Sequence, residues 1–158
     1  MDINELRQFL VNAKKNTYAS GGERQARLSP NGTKKYMFSE NEFNYIDKYK
    51  GHEKFEGKEM VSKNNKNIWQ MHYNGEVLSD KPSAEAIYSF LRKALKEIPK
   101  NKPFRGSKNL TDEKFKYINN VKGNIEKFSG NEKIFYEDKL VYKLFYNGKI
   151  INENIDLE

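Results

Sequence analysis

The stretch FEGKEMV, Phe55 to Val61, returns as FSGNEKI, Phe128 to Ile134, 73 places later. The match extends without a gap from Phe55–Leu78 to Phe128–Ile151, and seven of its 24 positions are identical. The changes between copies keep character: Val61 with Ile134, Ile68 with Val141, Trp69 with Tyr142, Met71 with Leu144. Upstream, YIDKYKG from Tyr45 matches YINNVKG from Tyr117 at a shift of 72. One copy therefore carries an extra residue, which belongs in a turn or bulge. A chain written twice in this way predicts two structural units of one design.

Each unit opens on a helix. Ile3, Leu6, Phe9, Leu10 and Ala13 recur at helical spacing after Asp2, a capping residue with Glu5 three places on. Ala84, Ile87, Leu91, Ala94, Leu95 and Ile98 do the same after Pro82 and Ser83. FLVNAKK and FLRKALK align within these helices. Alternating runs follow each helix, and Asn74-Gly75 and Asn147-Gly148 have the sequence of type I′ hairpin turns. Lys63-Asn64-Asn65-Lys66 and Tyr136-Glu137-Asp138-Lys139 mark the turns before them. The expected fold is α+β: one domain over residues 1–158, made of two tandem repeats, about 1–80 and 81–158. Each is a helix plus an antiparallel meander, and the two pack with pseudo-twofold symmetry.

Strand alternation sets the candidate site. It puts Phe, Gly, Glu and a β-branched residue of the repeated motif on one face, so Glu59 and Glu132 point among apolar neighbours. An unpaired buried polar group costs about 2–7 kcal/mol, so each Glu needs a partner or a cavity. Arg27 (ARLS) and Arg105 (FRGS) are the obvious cations. Bracing a bend at Gly57 or Gly130 is the structural reading of the pair, and facing a ligand is the functional one. Tyr45, Tyr49, Trp69 and Tyr73 in copy one, with Tyr142 and Tyr146 in copy two, line up as aromatic stripes. They are either core or the walls of a groove. Asp47 becomes Asn119 in the second copy, so the copies differ in charge there.

The residues exclude several chemistries. There is no Cys, hence no disulfide, thiol nucleophile or thiolate metal site. His52 and His72 have no counterparts in the other copy and read as surface or rim residues. Ser20-Gly21-Gly22 lacks the strand and the Lys-Ser/Thr of a phosphate loop. No metal or cofactor is implied, and the chain reads as non-enzymatic. The formal charge of +7 favours polyanions, but its Lys residues are scattered among Glu and Asp, which describes a solvated surface. With no apolar run of membrane length and no secretory leader, the expected location is the cytoplasm, away from membranes.

FLVNAKKNTYA (Phe9–Ala19), YIDKYKGHEKFEGKEMV (Tyr45–Val61), IWQMHYNGEVL (Ile68–Leu78), FLRKAL and PFRG resemble a bacterial family known as an uncharacterised domain of unknown function. That family occurs alone or behind a Cro/repressor-type helix-turn-helix, which implies effector sensing. With the first helix of the domain expected from Ile3, direct operator binding is not expected of these residues. A weaker likeness, at fold level, is to GyrI-like effector-binding domains, whose two halves form a groove with aromatics and a central carboxylate. The expected function is binding of a small molecule or peptide in an aromatic-lined groove with inward carboxylates. The alternative is an interaction module or inhibitor that meets nucleic acid or a protein through its basic surface.

Overall fold

The computed structural model describes residues 1–21 and 26–151. Gly22 of the Ser20-Gly21-Gly22 stretch and the last seven positions of the second repeat lie outside them. Helix α1 (Ile3–Lys15) starts where Asp2 accepts the Asn4 N–H at 2.8 Å, a cap that stabilises a helix by ~1 kcal/mol. A single short turn, α2 (Tyr18–Gly21), follows. Helix α3 (Ala84–Lys96) is capped by Ser83, whose Oγ accepts the Ala86 N–H. Both long helices bury one apolar stripe, Leu6, Phe9, Leu10 and Ala13 in α1 and Ile87, Leu91, Ala94 and Leu95 in α3.

The strands are β1 (Arg27–Leu28), β2 (Lys34–Glu40), β3 (Phe43–Gly51), β4 (Lys54–Lys63), β5 (Lys66–Val77), β6 (Asn109–Asp112), β7 (Phe115–Asn124), β8 (Lys127–Tyr136) and β9 (Lys139–Ile150). They form a nine-stranded antiparallel sheet in the order β1-β2-β3-β4-β5-β9-β8-β7-β6. The two meanders meet at β5 and β9, where Tyr73 is directly opposite Tyr146. The α+β class is as the sequence predicts.

The hairpins at Asn64-Asn65 and Glu137-Asp138 fall where expected, and all four residues have the positive φ that a two-residue I′ turn needs. The extra residue also sits in a turn: Gly51 pairs with Phe55, whereas Gly123 pairs with Phe128 across a loop one residue longer.

Asn74-Gly75 and Asn147-Gly148 are not turns. Both lie inside long strands, β5 and β9, and neither Asn nor Gly has positive φ there. These glycines make room instead. A Cβ on Gly75 would stand 2.5 Å from Phe55 Cζ, and one on Gly148 2.4 Å from both the Gln70 carbonyl oxygen and Phe128 Cζ. Gly57 and Gly130 are likewise straight strand positions and not bends. The rings of Tyr73 and Tyr146 lie where their side chains would be.

One face of the sheet is buried under the helices. Its cross-strand rows include Tyr36-Asp47-Glu59-Met71 and Glu132-Leu144, together with Val61, Trp69, Ile134 and Tyr142. The opposite face carries the intervening residues, half-buried or exposed as period 2 requires, except Val141, which is buried where the β8–β9 register shifts.

Candidate functional site

The repeated glutamates end in different surroundings. Glu132 is fully buried and saturated: Arg105 grips it through Nε and Nη2, while the hydroxyls of Tyr117 and Tyr142 donate to it at 2.6 and 2.7 Å. Beside it, Asn119 accepts from the Tyr146 hydroxyl at 2.7 Å and donates to the Gly106 carbonyl at 3.1 Å. The charges of Arg105 and Glu132 balance, and both carboxylate oxygens accept two hydrogen bonds each. Burial alone would pull the Arg105 guanidinium down, but the Glu132 carboxylate together with the Tyr142 and Tyr117 hydroxyls outweighs it and holds the cation firmly charged.

Around Glu59 the balance is different. Tyr45 donates to Glu59 at 2.6 Å, and its cation is Lys14 of α1 at 3.1 Å. Lys14 also donates to the Phe104 carbonyl and lies 5.3 Å from the centre of the Trp69 ring. Burial pulls the Lys14 ammonium below its usual range, with Glu59 opposing. Directly opposite Glu59, on β3, stands a second buried carboxylate, Asp47, which accepts from the Tyr73 hydroxyl at 2.6 Å. Burial, then the charge of Glu59, pushes Asp47 up to about 8, so it holds its proton at neutral pH. The Tyr45 and Tyr73 hydroxyls are raised for the same reason, burial first and the two carboxylates next.

This half contains a cavity of about 60 Å³. Asp47 and Glu59 form its polar floor with Lys14 and Arg105 beside them, and Tyr45, Tyr49 and Tyr73 supply aromatic wall. Leu91, Leu95 and Ile98 close the side towards α3, and the exposed His52 stands at the rim with Phe55 and Tyr88.

Of the residues singled out in the sequence, Glu59, Asp47, Tyr45, Tyr49, Tyr73 and Arg105 come together at this cavity. Trp69, Glu132, Tyr142 and Tyr146 do not line it: they are packed, with Trp69 stacked on Phe128 and both tyrosine hydroxyls spent on the second copy's polar network. Arg27 is elsewhere. It is exposed on the edge strand β1, in register with Lys35 and so on the face away from Glu59. Sequence reading missed Lys14. Its signal was present, since Lys14 lies one turn beyond Leu10 and aligns with Leu95 of FLRKALK, a cation at a core position.

The profile of one family, described as a domain of unknown function (DUF5680), matches residues 47–151. The chain belongs to the DUF5680 family. The matched stretch takes in Asp47, Glu59, Arg105 and Glu132, whereas Lys14 on α1 precedes the DUF5680 match. None of the curated proteins and none of the solved structures compared with the chain matches it. Among the described residues, no group of three or more His, Asp or Glu could hold a metal ion, and no helix is long and apolar enough to cross a membrane.

Proposed function

We propose that this chain is a non-enzymatic binding module that takes the cationic head of a small molecule or peptide into the cavity above β3, β4 and β5. The observation that carries this reading is the pair of facing carboxylates, Asp47 and Glu59, at the floor of an aromatic-walled cavity. A cavity of about 60 Å³ suits a compact group such as an ammonium. Tyrosine faces and carboxylates are the groups that stabilise such a cation once it has left water. Asp47 is the reserve charge: it is neutral in the free protein, and a cation beside it favours its ionised form. Binding would therefore release a proton.

The role fits an effector-sensing domain working in the cytoplasm, as the resemblance to helix-turn-helix-fused proteins implies. We take the two meander-bearing halves to be related by a pseudo-twofold axis between β5 and β9. In that scheme the second half keeps the frame closed with Arg105 and Glu132 while the first holds the ligand. Superposing residues 43–77 on 115–150 tests the symmetry, and failure of β3-β4-β5 to overlay β7-β8-β9 would refute it.

The functional test is a thermal-shift screen of primary amines and guanidines, followed by calorimetry of any hit in buffers of differing ionisation enthalpy. Release approaching one proton at pH 7, falling towards zero above pH 9 and absent in Asp47→Asn, is the expected result. Hits whose binding is indifferent to both Asp47→Asn and Glu59→Gln would exclude the cavity as the site.

A further inference from the structure

The lysines scattered along the sequence are gathered by the sheet. On the face away from the helices, Arg27, Lys35, Lys48 and Lys58 stand directly opposite one another on β1, β2, β3 and β4, and His72 of β5 continues the row. The other half of the same face pairs Lys127 with Lys149 and Lys133 with Lys143. Like charges directly opposite on neighbouring strands are unfavourable, and the usual sheet surface sets opposite charges there. Glu56 and Glu76 are the acidic residues at strand positions of the face, Glu56 opposite Lys50 and Glu76 between Lys54 and Lys143, and among the described residues none of these lysines has a carboxylate within ion-pair distance. The row Arg27-Lys35-Lys48-Lys58 and the pair Lys127-Lys149 thus stand with no carboxylate directly opposite, on a surface that no described helix covers.

We propose that this uncovered face docks a nucleic acid through its phosphates. The charge complement is an extended polyanion, because the cations span the sheet from β1 to β8 and do not converge on one point. Same-face residues recur every ~6.8 Å along a strand and neighbouring strands lie ~4.8 Å apart, so several phosphates are met at once. The cations are almost all Lys, point charges without the planar fork that reads guanine edges, so binding is through the backbone and indifferent to sequence. Phe145, half exposed on the central strand β9, offers one ring to an unpaired base. This surface is opposite the cavity, and the inference does not rest on the cavity's role.

The test is fluorescence anisotropy with one labelled oligonucleotide as single strand and as duplex, from 50 to 200 mM salt. Binding at 50 mM that weakens with a log–log salt slope of about −4 is expected, as neutralising four or five phosphates requires. Lys48→Glu/Lys58→Glu should weaken it by at least ~30-fold, and the milder Lys127→Gln/Lys149→Gln by ~5-fold. Lys127→Gln/Lys149→Gln should melt no lower than the parent, since it relieves repulsion, and a cooperative melt of Lys48→Glu/Lys58→Glu above the assay temperature shows that its loss of binding is not a loss of fold. Lys15→Glu/Lys100→Glu, an equal charge change away from this face, should cost less than ~3-fold. Phe145→Ala should weaken the single strand alone. Equal losses in the two charge-reversed variants, no binding at 50 mM, or retention by anionic lipid vesicles with no nucleic acid bound would each overturn the proposal.

Discussion

Asp47 and Glu59 are direct cross-strand neighbours on the buried face of the sheet, and of the two acids it is Glu59 that holds the Lys14 ammonium, at 3.1 Å. With Asp47 raised from 3.8 to about 8, the native state holds a proton that the unfolded chain gives up between those values. Its contribution to stability is fully present below pH 4 and is lost as pH rises towards 8. Asp47→Asn, which imitates the neutral acid as Asn119 does in the other half, should be more stable than the parent by up to ~5 kcal/mol at pH 8 and little different at pH 4. Urea denaturation of both proteins across that range measures the difference, and a constant offset would show that Asp47 titrates normally.

The two glutamates should respond unequally to substitution. Glu132→Gln strands the Arg105 guanidinium among neutral partners, and breaking a buried pair of this kind costs ~3–5 kcal/mol. Glu59→Gln is cushioned, because Asp47 can release its proton and become the counter-charge of Lys14. We expect a loss below ~1.5 kcal/mol. Equal shifts in the two denaturation curves would mean that both residues are braces.

The glycines show where local sequence signals mislead. Asn-Gly is a strong hairpin signal only when the chain needs positive φ, and at Gly75 and Gly148 what is needed is the absence of a side chain under a phenylalanine ring. Gly148→Ala should cost ~1–3 kcal/mol, because its new methyl meets the Gln70 backbone oxygen. Gly75→Ala should cost less, since the half-buried Phe55 ring can swing aside. Thermal melts of the two variants decide the order.

Much of the frame was legible because period 2 and period 3.6 are local properties. The helices, the inward Glu59 and Glu132, the turns at Asn64-Asn65 and Glu137-Asp138 and the one-residue slip before Phe128 all follow from local pattern. Pairing across the chain was not legible. That Arg105 closes on Glu132 while Arg27 faces the other way depends on which strand lies at the edge, and no residue of ARLS or FRGS records that. The separation of Tyr73, at a cavity wall, from Tyr146, in a closed network, likewise depends on one substitution, Asp47 for Asn119, and on Lys14 reaching in from a helix.

Lys14 is the residue through which the helix layer and the carboxylates are coupled, and its removal gives the sharpest test of the arrangement. Lys14→Met keeps a long apolar stem over Trp69 but leaves Glu59 buried with Tyr45 and an already protonated Asp47. An uncompensated buried charge of this sort costs ~3–5 kcal/mol. Adding Glu59→Gln removes the stranded charge, so the double variant should recover much of that loss. A coupling energy of ~1–3 kcal/mol is expected from the cycle, read by urea denaturation at pH 7. Strict additivity of the two substitutions would place Lys14 and Glu59 in separate environments and remove the ion pair from the account of the site.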